Sequence, residues 1–270
     1  PYSMKGYQRI RFIIKPCLNC LHTLIAQDQS DADRYLALGL QPEKLIVGGN
    51  IKFDLHVADD IHAQATALRD DVGFGSRPTI ILASTHEGEE AIWVPIYKAI
   101  QHQIPGVLLV VVPRHPQRFD SVNQLLVQHG WTVARRSQRD LVTDQTDVYL
   151  ADTLGEMMCL YAASDVAFVG GSLVPIGGHN LIEPAVLGVP SVTGSILHNF
   201  SYVKQLLLDT KAIAIVDQPM EIASAMVRLL KDSEERYAMG QRGKEAVIKN
   251  QGALQRHLDV IQQAIRQSQA

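Results

Sequence analysis

The chain has 270 residues, of which 46% are hydrophobic and 20% charged, and its formal net charge is −3. A chain of this size buries one large core or two smaller ones, while the near-neutral charge and the absence of a Lys/Arg block exclude nucleic acid as an expected partner. Its longest apolar runs, residues 79–84 and 107–112, fall well short of the roughly 20 residues that a membrane-spanning helix needs.

The first fifty residues predict a strand at 22–26, a helix at 29–38 and a strand at 45–47 that ends in Gly48-Gly49-Asn50. One β-α-β unit cannot cover both faces of a sheet. We therefore interpret residues 1–50 as the tail of a preceding, largely absent domain and residues 51–76 as an interdomain connection. Residues 1–11 are polar and basic without a following apolar stretch, so they do not predict a targeting signal.

Cys17 and Cys20 form a C-x-x-C with His22 nearby, whereas Cys159 is isolated in an apolar stretch. No second pair lies at metal-ligand spacing, so we interpret the cysteines as ordinary thiols of a reducing compartment.

From residue 77 the chain alternates short β-branched runs with longer amphipathic stretches, which is typical of a doubly wound α/β domain with a parallel sheet. This domain is predicted to span residues 77–252, and a polar helix at 253–270 is predicted to pack across to another domain. The predicted strands are 79–84, 107–113, 132–136, 147–151, 165–170, 190–193 and 212–216. The predicted helices are 88–102, 118–129, 154–163, 181–187, 202–208, 220–231, 234–249 and 253–267.

Ligands of open parallel sheets bind at the carboxyl ends of the strands, so the loops that follow the strands are the candidate site. In the last of these, Gly177 and Gly178 allow close approach of the backbone to an anion, and Asn180 opens a helix. Asn180 and Glu183 have the spacing of a capping box, yet Glu183 is also placed to accept hydrogen bonds from a ribose diol. Both interpretations stay open.

Arg114 and His115 lie between Pro113 and Pro116, directly after the most apolar strand. The guanidinium is placed to bind a phosphate or stack on a base, unless it is a solvated turn residue. His115 could serve the same two purposes, but for a catalytic role the alternative, a loop histidine with a structural hydrogen bond, is favoured.

The loop at 152–156 has Thr153 and Glu156 at capping-box spacing, and its amides are placed to read a base edge. The alternative is a well-capped helix. After Ser84-Thr85-His86, the carboxylates Glu87, Glu89 and Glu90 are interpreted as complements of a helix dipole, not as a catalytic pair.

Three common motifs are absent from the sequence: the dinucleotide-binding G-x-G-x-x-G after the first main strand, the P-loop and the G-x-S-x-G nucleophile elbow.

The series of motifs nevertheless resembles a known family, the Kdo transferases, which move 3-deoxy-D-manno-octulosonic acid (Kdo) from CMP-Kdo to a lipid A precursor. The resemblance spans about residues 22 to 200. The matching stretches are Ala26-Gln27-Asp28, Gly49-Asn50-Ile51-Lys52-Phe53-Asp54, the segment from Ala83 to Glu90, Val112-Pro113-Arg114-His115-Pro116, Asp152-Thr153-Leu154-Gly155-Glu156-Met157, Phe168 to Leu173, and Gly177-Gly178-His179-Asn180-Leu181-Ile182-Glu183-Pro184.

This resemblance implies a GT-B architecture of two Rossmann-like halves, with CMP held by the carboxy-terminal half. Carried over to this sequence, the family's CMP contacts fall on Pro113, Arg114, Leu154, Gly155, Glu156, Asn180 and Glu183. Further donor contacts are expected at Lys52, His115, Gly171, Ser172, Gly178 and His179. No cofactor and no obligatory metal ion are expected in this half.

The resemblance also implies a further amino-terminal part that carries a membrane anchor, the acceptor surface and a glutamate general base. The complete protein is then expected at the cytoplasmic face of the bacterial inner membrane. The chain alone is expected to be soluble and to bind nucleotide without transferring sugar.

Other classes stay open. A nucleotide-sugar epimerase of the same architecture would prefer a UDP-sugar, and a regulatory module would bind nucleotide without turnover. An α/β interaction domain would bind no nucleotide.

Overall fold

The computed structural model describes residues 2–269, with side chains for residues 4–267. The described residues up to 56 and from 248 onward form one compact unit, and residues 57–247 form a second.

The described strands are β1 (Leu24–Ala26), β2 (Leu45–Val47), β3 (Thr79–Thr85), β4 (Leu108–Pro113), β5 (Val133–Arg135), β6 (Val148–Leu150), β7 (Val166–Val169), β8 (Ser191–Thr193) and β9 (Ile213–Ile215). The described helices are α1 (Tyr2–Arg9), α2 (Arg11–Asn19), α3 (Gln29–Leu38), α4 (Ile61–Val72), α5 (Glu89–Gln103), α6 (Phe119–Gln128), α7 (Met157–Ala162), α8 (Ile182–Val186), α9 (Ser201–Asp209), α10 (Pro219–Lys231), α11 (Ser233–Lys249) and α12 (Ala253–Gln269).

In the first unit, strands β1 and β2 pair in parallel, and α3 connects them. Asp28 caps α3, because its side chain accepts a hydrogen bond of 2.8 Å from the amide of Asp31. Helix α12 belongs to this unit: Arg256 donates a hydrogen bond of 2.9 Å to the carbonyl of Gly48.

The second unit is built on a seven-stranded parallel sheet with the order β5-β6-β4-β3-β7-β8-β9. The predicted doubly wound fold is therefore confirmed, and the predicted element ends fall within three residues of those observed. Alternate residues of the central strands point to opposite faces. Ile80, Leu82 and Phe168 pack in a core with Trp93 and Ile96 of helix α5.

Helix α4 was not predicted, since it lies in the segment interpreted as a connection. It buries Ile61, Ala65, Leu68 and Val72, which line one face of a helix, and it packs against α7. The second unit consequently begins at Val57 rather than at Arg77. Among the described residues, no helix is both long and apolar enough to cross a lipid bilayer.

Candidate nucleotide-binding site

Four loops meet at the carboxyl edge of the large sheet. They follow β6, β4, β3 and β7, which are consecutive neighbours in the sheet. The polar residues singled out in the second unit lie in these loops or directly after them. The fold thus brings together segments that are up to about a hundred residues apart in sequence.

The loop after β3 begins with a backbone irregularity. Ser84 adopts a left-handed conformation with φ 55°, and the register between β3 and β4 shifts between Ala83 and Thr85. The amide of Arg114 donates a hydrogen bond of 3.0 Å to the carbonyl of Thr85. This bond fixes the start of the loop that carries Arg114.

Glu89, at the first position of α5, is fully buried and ties two loops together. Its carboxylate accepts hydrogen bonds from the amides of His86 (2.9 Å), Gly171 (2.7 Å), Ser172 (3.1 Å) and Leu173 (3.1 Å). The protein's own carboxylate therefore occupies the anion-binding backbone of the loop after β7.

This arrangement changes the roles expected for Gly171 and Ser172. Their amides donate to Glu89, and the Ser172 hydroxyl donates to the carbonyl of Val169 (2.7 Å) and accepts from the amide of Gly194 (3.0 Å). Ser172 is also fully buried. In this structure both residues organise the loop and do not present these groups to a ligand.

Glu90 and Arg118 form a second bridge between loops. The guanidinium donates to Glu90 (2.6 Å) and to the carbonyl of Thr85 (2.9 Å), while the Thr85 hydroxyl donates to Glu90. Glu90 is 3% exposed, so this carboxylate is stabilised by its partners rather than by water. The sequence interpretation assigned Glu89 and Glu90 only to the helix dipole and missed these contacts. Burial distinguishes a carboxylate that bridges two loops from one that only complements a helix dipole, and the sequence does not reveal that these two are buried.

Three histidines lie close together at the carboxyl edge. The Nε2 atoms of His86 and His179 are 2.7 Å apart, and the ring of His115 meets that of His86 edge to face at 5.2 Å. Burial, with smaller contributions from the neighbouring His86 and Arg114, lowers the pKa of His179 to about 4. Burial also lowers the pKa of His86. Both rings are neutral at neutral pH.

Asn180 and Glu183 are joined as a capping arrangement. The Asn180 side chain accepts a hydrogen bond from the amide of Ile182 (3.1 Å) and donates one to Glu183 (3.1 Å). Burial raises the pKa of Glu183, whereas the hydrogen bond from Asn180 and the charge of Arg114 lower it. Arg114 thus acts on Glu183 and on His179, while its own side chain is exposed.

Gly178 adopts φ 82°, and its amide donates to the carbonyl of Gly171 (2.7 Å). A Cβ atom at this position would lie 2.4 Å from Leu197, so the close approach requires glycine. Lys52 belongs to the first unit. It lies in a 3₁₀ turn, where its amide donates to the side chain of Asn50 (3.0 Å).

The loop after β6 is held through its carboxylates. Asp152 accepts a hydrogen bond of 2.7 Å from Arg135, and Glu156 binds the guanidinium of Arg136 with a shortest contact of 2.6 Å. Helix α7 begins only at Met157, so residues 154–156, which were predicted to be helical, lie outside it. The Thr153 hydroxyl does donate to Glu156. Leu154 is 72% exposed, and Gly155 adopts φ 88°.

At the end of the parallel sheet lie the exposed guanidinium of Arg114, the neutral imidazoles of His86 and His179, the half-buried carboxyl group of Glu183 and the loop backbone at Leu154 and Gly155. Among the side chains described, no group of three His, Cys, Asp or Glu residues is placed to hold a metal ion. Fold and site together define a Rossmann-like domain of the GT-B class, with its polar loops at the carboxyl edge of a parallel sheet.

Comparison with known proteins agrees with this class. A glycosyltransferase from Rickettsia africae has a similar fold, with a TM-score of 0.59 over 93% of this chain and 66% of that one, at 13% identity. The family model of the 3-deoxy-D-manno-octulosonic-acid transferases matches residues 1–55.

Two relatives are closer in sequence. A 3-deoxy-D-manno-octulosonic acid transferase of Haemophilus influenzae is 37% identical over 96% of this chain. The crystal structure of the C-terminal CMP-Kdo binding domain of WaaA from Acinetobacter baumannii is 32% identical, with a TM-score of 0.67 over 70% of this chain and 99% of that one. The chain belongs to the Kdo transferase family. It spans 61% of the length of the Haemophilus relative.

Proposed function

We propose that the chain is the CMP-binding part of a transferase that moves Kdo from CMP-Kdo to a lipid A precursor. The observation that carries this proposal is the convergence of Arg114, His179 and Glu183 at the carboxyl edge of the sheet, in a chain 32% identical to a CMP-Kdo binding domain. The contact residues and the reaction are inferred from this convergence together with the family to which the chain belongs.

In the proposed complex the guanidinium of Arg114 binds the phosphate of CMP. Its exposed position leaves its donors available, and its backbone is fixed by the hydrogen bond to Thr85. His115 and His179 flank the phosphate as hydrogen-bond donors. Glu89 already fills the amides of the loop after β7, so the phosphate depends on Arg114 rather than on that loop.

The ribose and the base contact two other loops. Glu183, oriented by Asn180, accepts hydrogen bonds from the ribose diol, and the backbone at Leu154 and Gly155 reads the edge of cytosine. Pro113 ends β4 and restricts the backbone before Arg114.

In the proposed reaction an acceptor hydroxyl oxygen attacks the anomeric carbon of Kdo with inversion. The bond from that carbon to the phosphate oxygen breaks, and CMP leaves with the electron pair. Arg114 stabilises the charge that develops on the phosphate, so no metal ion is required in this part of the site. The acceptor surface, a general base for the hydroxyl proton and association with the inner membrane are assigned to a further amino-terminal region of the protein.

A chimaera tests the transfer reaction. The part of the Haemophilus influenzae relative that this chain does not cover is fused in front of it, and transfer of Kdo to a lipid A precursor is measured together with CMP binding. We expect transfer with the chimaera and none with its Arg114→Ala variant. CMP binding without transfer would favour a regulatory module, and turnover of a UDP-sugar would favour an epimerase.

A further inference from the structure

Residues 135–137, which comprise the last residue of β5 and the start of the turn that follows, hold the loop after β6 through both of its carboxylates. Arg135 and the amide and hydroxyl of Ser137 donate to Asp152 at 2.6–2.8 Å. Arg136 donates to both oxygens of Glu156, through Nε at 3.1 and 3.2 Å and through Nη2 at 2.6 Å. We call residues 135–137 the clamp segment.

Glu156 is fully engaged by the protein. One of its oxygens also accepts the hydroxyl of Thr153. The hydrogen bond from Arg136 is the main reason that the pKa of Glu156 lies below its usual range. The carboxylate therefore stays ionised and paired, and it is not available to a nucleotide.

The ion pair between Arg136 and Glu156 contributes little to global stability. Both side chains are 31% exposed, and ion pairs that are open to solvent to this extent add little to protein stability. Its bidentate geometry, however, fixes the position of Glu156 and with it the end of the loop. The pair determines loop conformation more than it determines folding.

Between the two held carboxylates, the backbone of the loop is uncommitted. Within the described residues, the amides of Leu154 and Gly155 have no hydrogen-bond acceptor. A Cβ atom at Gly155 would meet nothing within 4 Å, so the space in front of this backbone is open. On the side of the clamp segment lies a cleft of about 470 Å³, which Arg136, Ser137, Thr153 and Glu156 help to line.

We propose that Arg136 is a positioning residue that sets the discrimination between cytosine and uracil without touching the nucleotide. This inference rests on the proposed function. Cytosine presents an amino donor and a ring-nitrogen acceptor where uracil presents an acceptor and a donor. Backbone groups held in one conformation distinguish these patterns, whereas a mobile loop adapts to both.

The test compares CMP and UMP affinities of the chain and its variants by calorimetry, with urea unfolding measured in parallel. Arg136→Ala should weaken CMP binding about ten-fold while changing UMP binding little, so that the preference for CMP collapses. Arg136→Lys, which cannot form the bidentate pair, should show an intermediate loss.

Two further variants separate positioning from charge. Arg139→Ala is the matched control, because Arg139 lines the same cleft and its side chain has no hydrogen-bond or ion-pair partner among the described side chains. It should leave both affinities unchanged. The double variant Arg136→Glu/Glu156→Arg restores a pair of opposite charges and should recover part of the CMP preference lost in Arg136→Glu.

The outcomes distinguish this inference from the function on which it rests. A wild-type chain that binds no CMP would overturn the proposed function. CMP binding by the wild type with an unchanged CMP/UMP ratio in Arg136→Ala would overturn only the positioning role. Equal weakening of both nucleotides, or an equal effect of Arg139→Ala, would assign Arg136 a general electrostatic effect and contradict the inference.

Discussion

His86 and His179 are joined by a hydrogen bond of 2.7 Å between their Nε2 atoms, which connects the loop after β3 to the loop after β7. Such a bond needs one ring nitrogen that carries a proton and one that does not. If both rings are protonated, the bond is lost and two positive charges face each other beside Arg114. This hydrogen bond between the two loops is therefore kept only while at least one of the two imidazoles is neutral.

Acid should weaken the folded state through this pair. The unfolded chain binds a proton at each histidine near pH 6.5, whereas folded His179 binds one only near pH 4. Between these values the unfolded state holds more protons, so the free energy of unfolding should fall as pH decreases from 6.5 to 4. Urea unfolding at several pH values measures this dependence. In His179→Gln the slope should be shallower, and in the control His102→Gln, which replaces an exposed histidine, it should match wild type. An unchanged slope in His179→Gln would exclude the pair as its cause.

Arg114→Ala should lower CMP affinity about ten- to a hundred-fold, since a charge-assisted hydrogen bond to phosphate contributes about 1.5–3 kcal/mol. The thermal midpoint should change little because the side chain is exposed. Arg77→Ala is the opposite control. Its guanidinium donates to the carbonyls of Gly106, Thr143 and Thr146 at the other edge of the sheet, so its loss should lower stability and leave CMP affinity intact. If Arg114→Ala lowered stability but not CMP affinity, while Arg77→Ala lowered CMP affinity but not stability, the assignment of Arg114 to the phosphate would be contradicted.

Glu183→Gln should separate binding from stability. Burial raises the pKa of this carboxyl group, so its ionisation at neutral pH costs free energy in the folded protein. Thermal stability should consequently stay the same or rise, while CMP affinity falls about ten-fold through the weaker acceptor for the ribose diol. Glu87→Gln, an exposed carboxylate at the same edge, should change neither. Loss of stability without loss of affinity would identify Glu183 as a structural cap only.

Glu89→Ala should be among the most destabilising single changes in the second unit. It leaves four amides without their shared acceptor, and we expect a loss of about 3 kcal/mol or more in urea unfolding. Glu89→Gln keeps the shape and should cost less. Gly170→Ala should act on the same contact, because its Cβ would lie 2.8 Å from the carbonyl of Ser84 and 2.9 Å from Glu89. Stability within 1 kcal/mol of wild type for Glu89→Ala would contradict the bridging role.

The sequence predicted the sheet well because its five inner strands are fully buried. Runs such as that of β4, which is buried at every position, are typical of parallel strands covered on both faces. The position of the site loops could be predicted as well, because the carboxyl ends of parallel strands lie at one edge of the sheet. Helix α4 was missed because its buried face, formed by Ile61, Ala65, Leu68 and Val72, includes a small alanine and no aromatic residue, and polar residues separate its members along the chain.

The contacts within the site could not be predicted from the sequence, for a different reason. The bridge from Glu89 to Gly171 joins residues 82 positions apart, and the pairs Glu90–Arg118 and Arg136–Glu156 depend on strand order. A carboxylate at a helix start has the same pattern whether it faces water or a buried loop. Only the order β6-β4-β3-β7 determines which loops become neighbours.

Calorimetric titration of this chain with CMP, with UMP as the comparison, tests the central claim most directly. The account predicts saturable binding of CMP with a clear preference over UMP, without added metal ion, and its loss in Arg114→Ala. A wild-type chain that is folded by circular dichroism but binds UMP as tightly as CMP, or binds neither nucleotide, would contradict it.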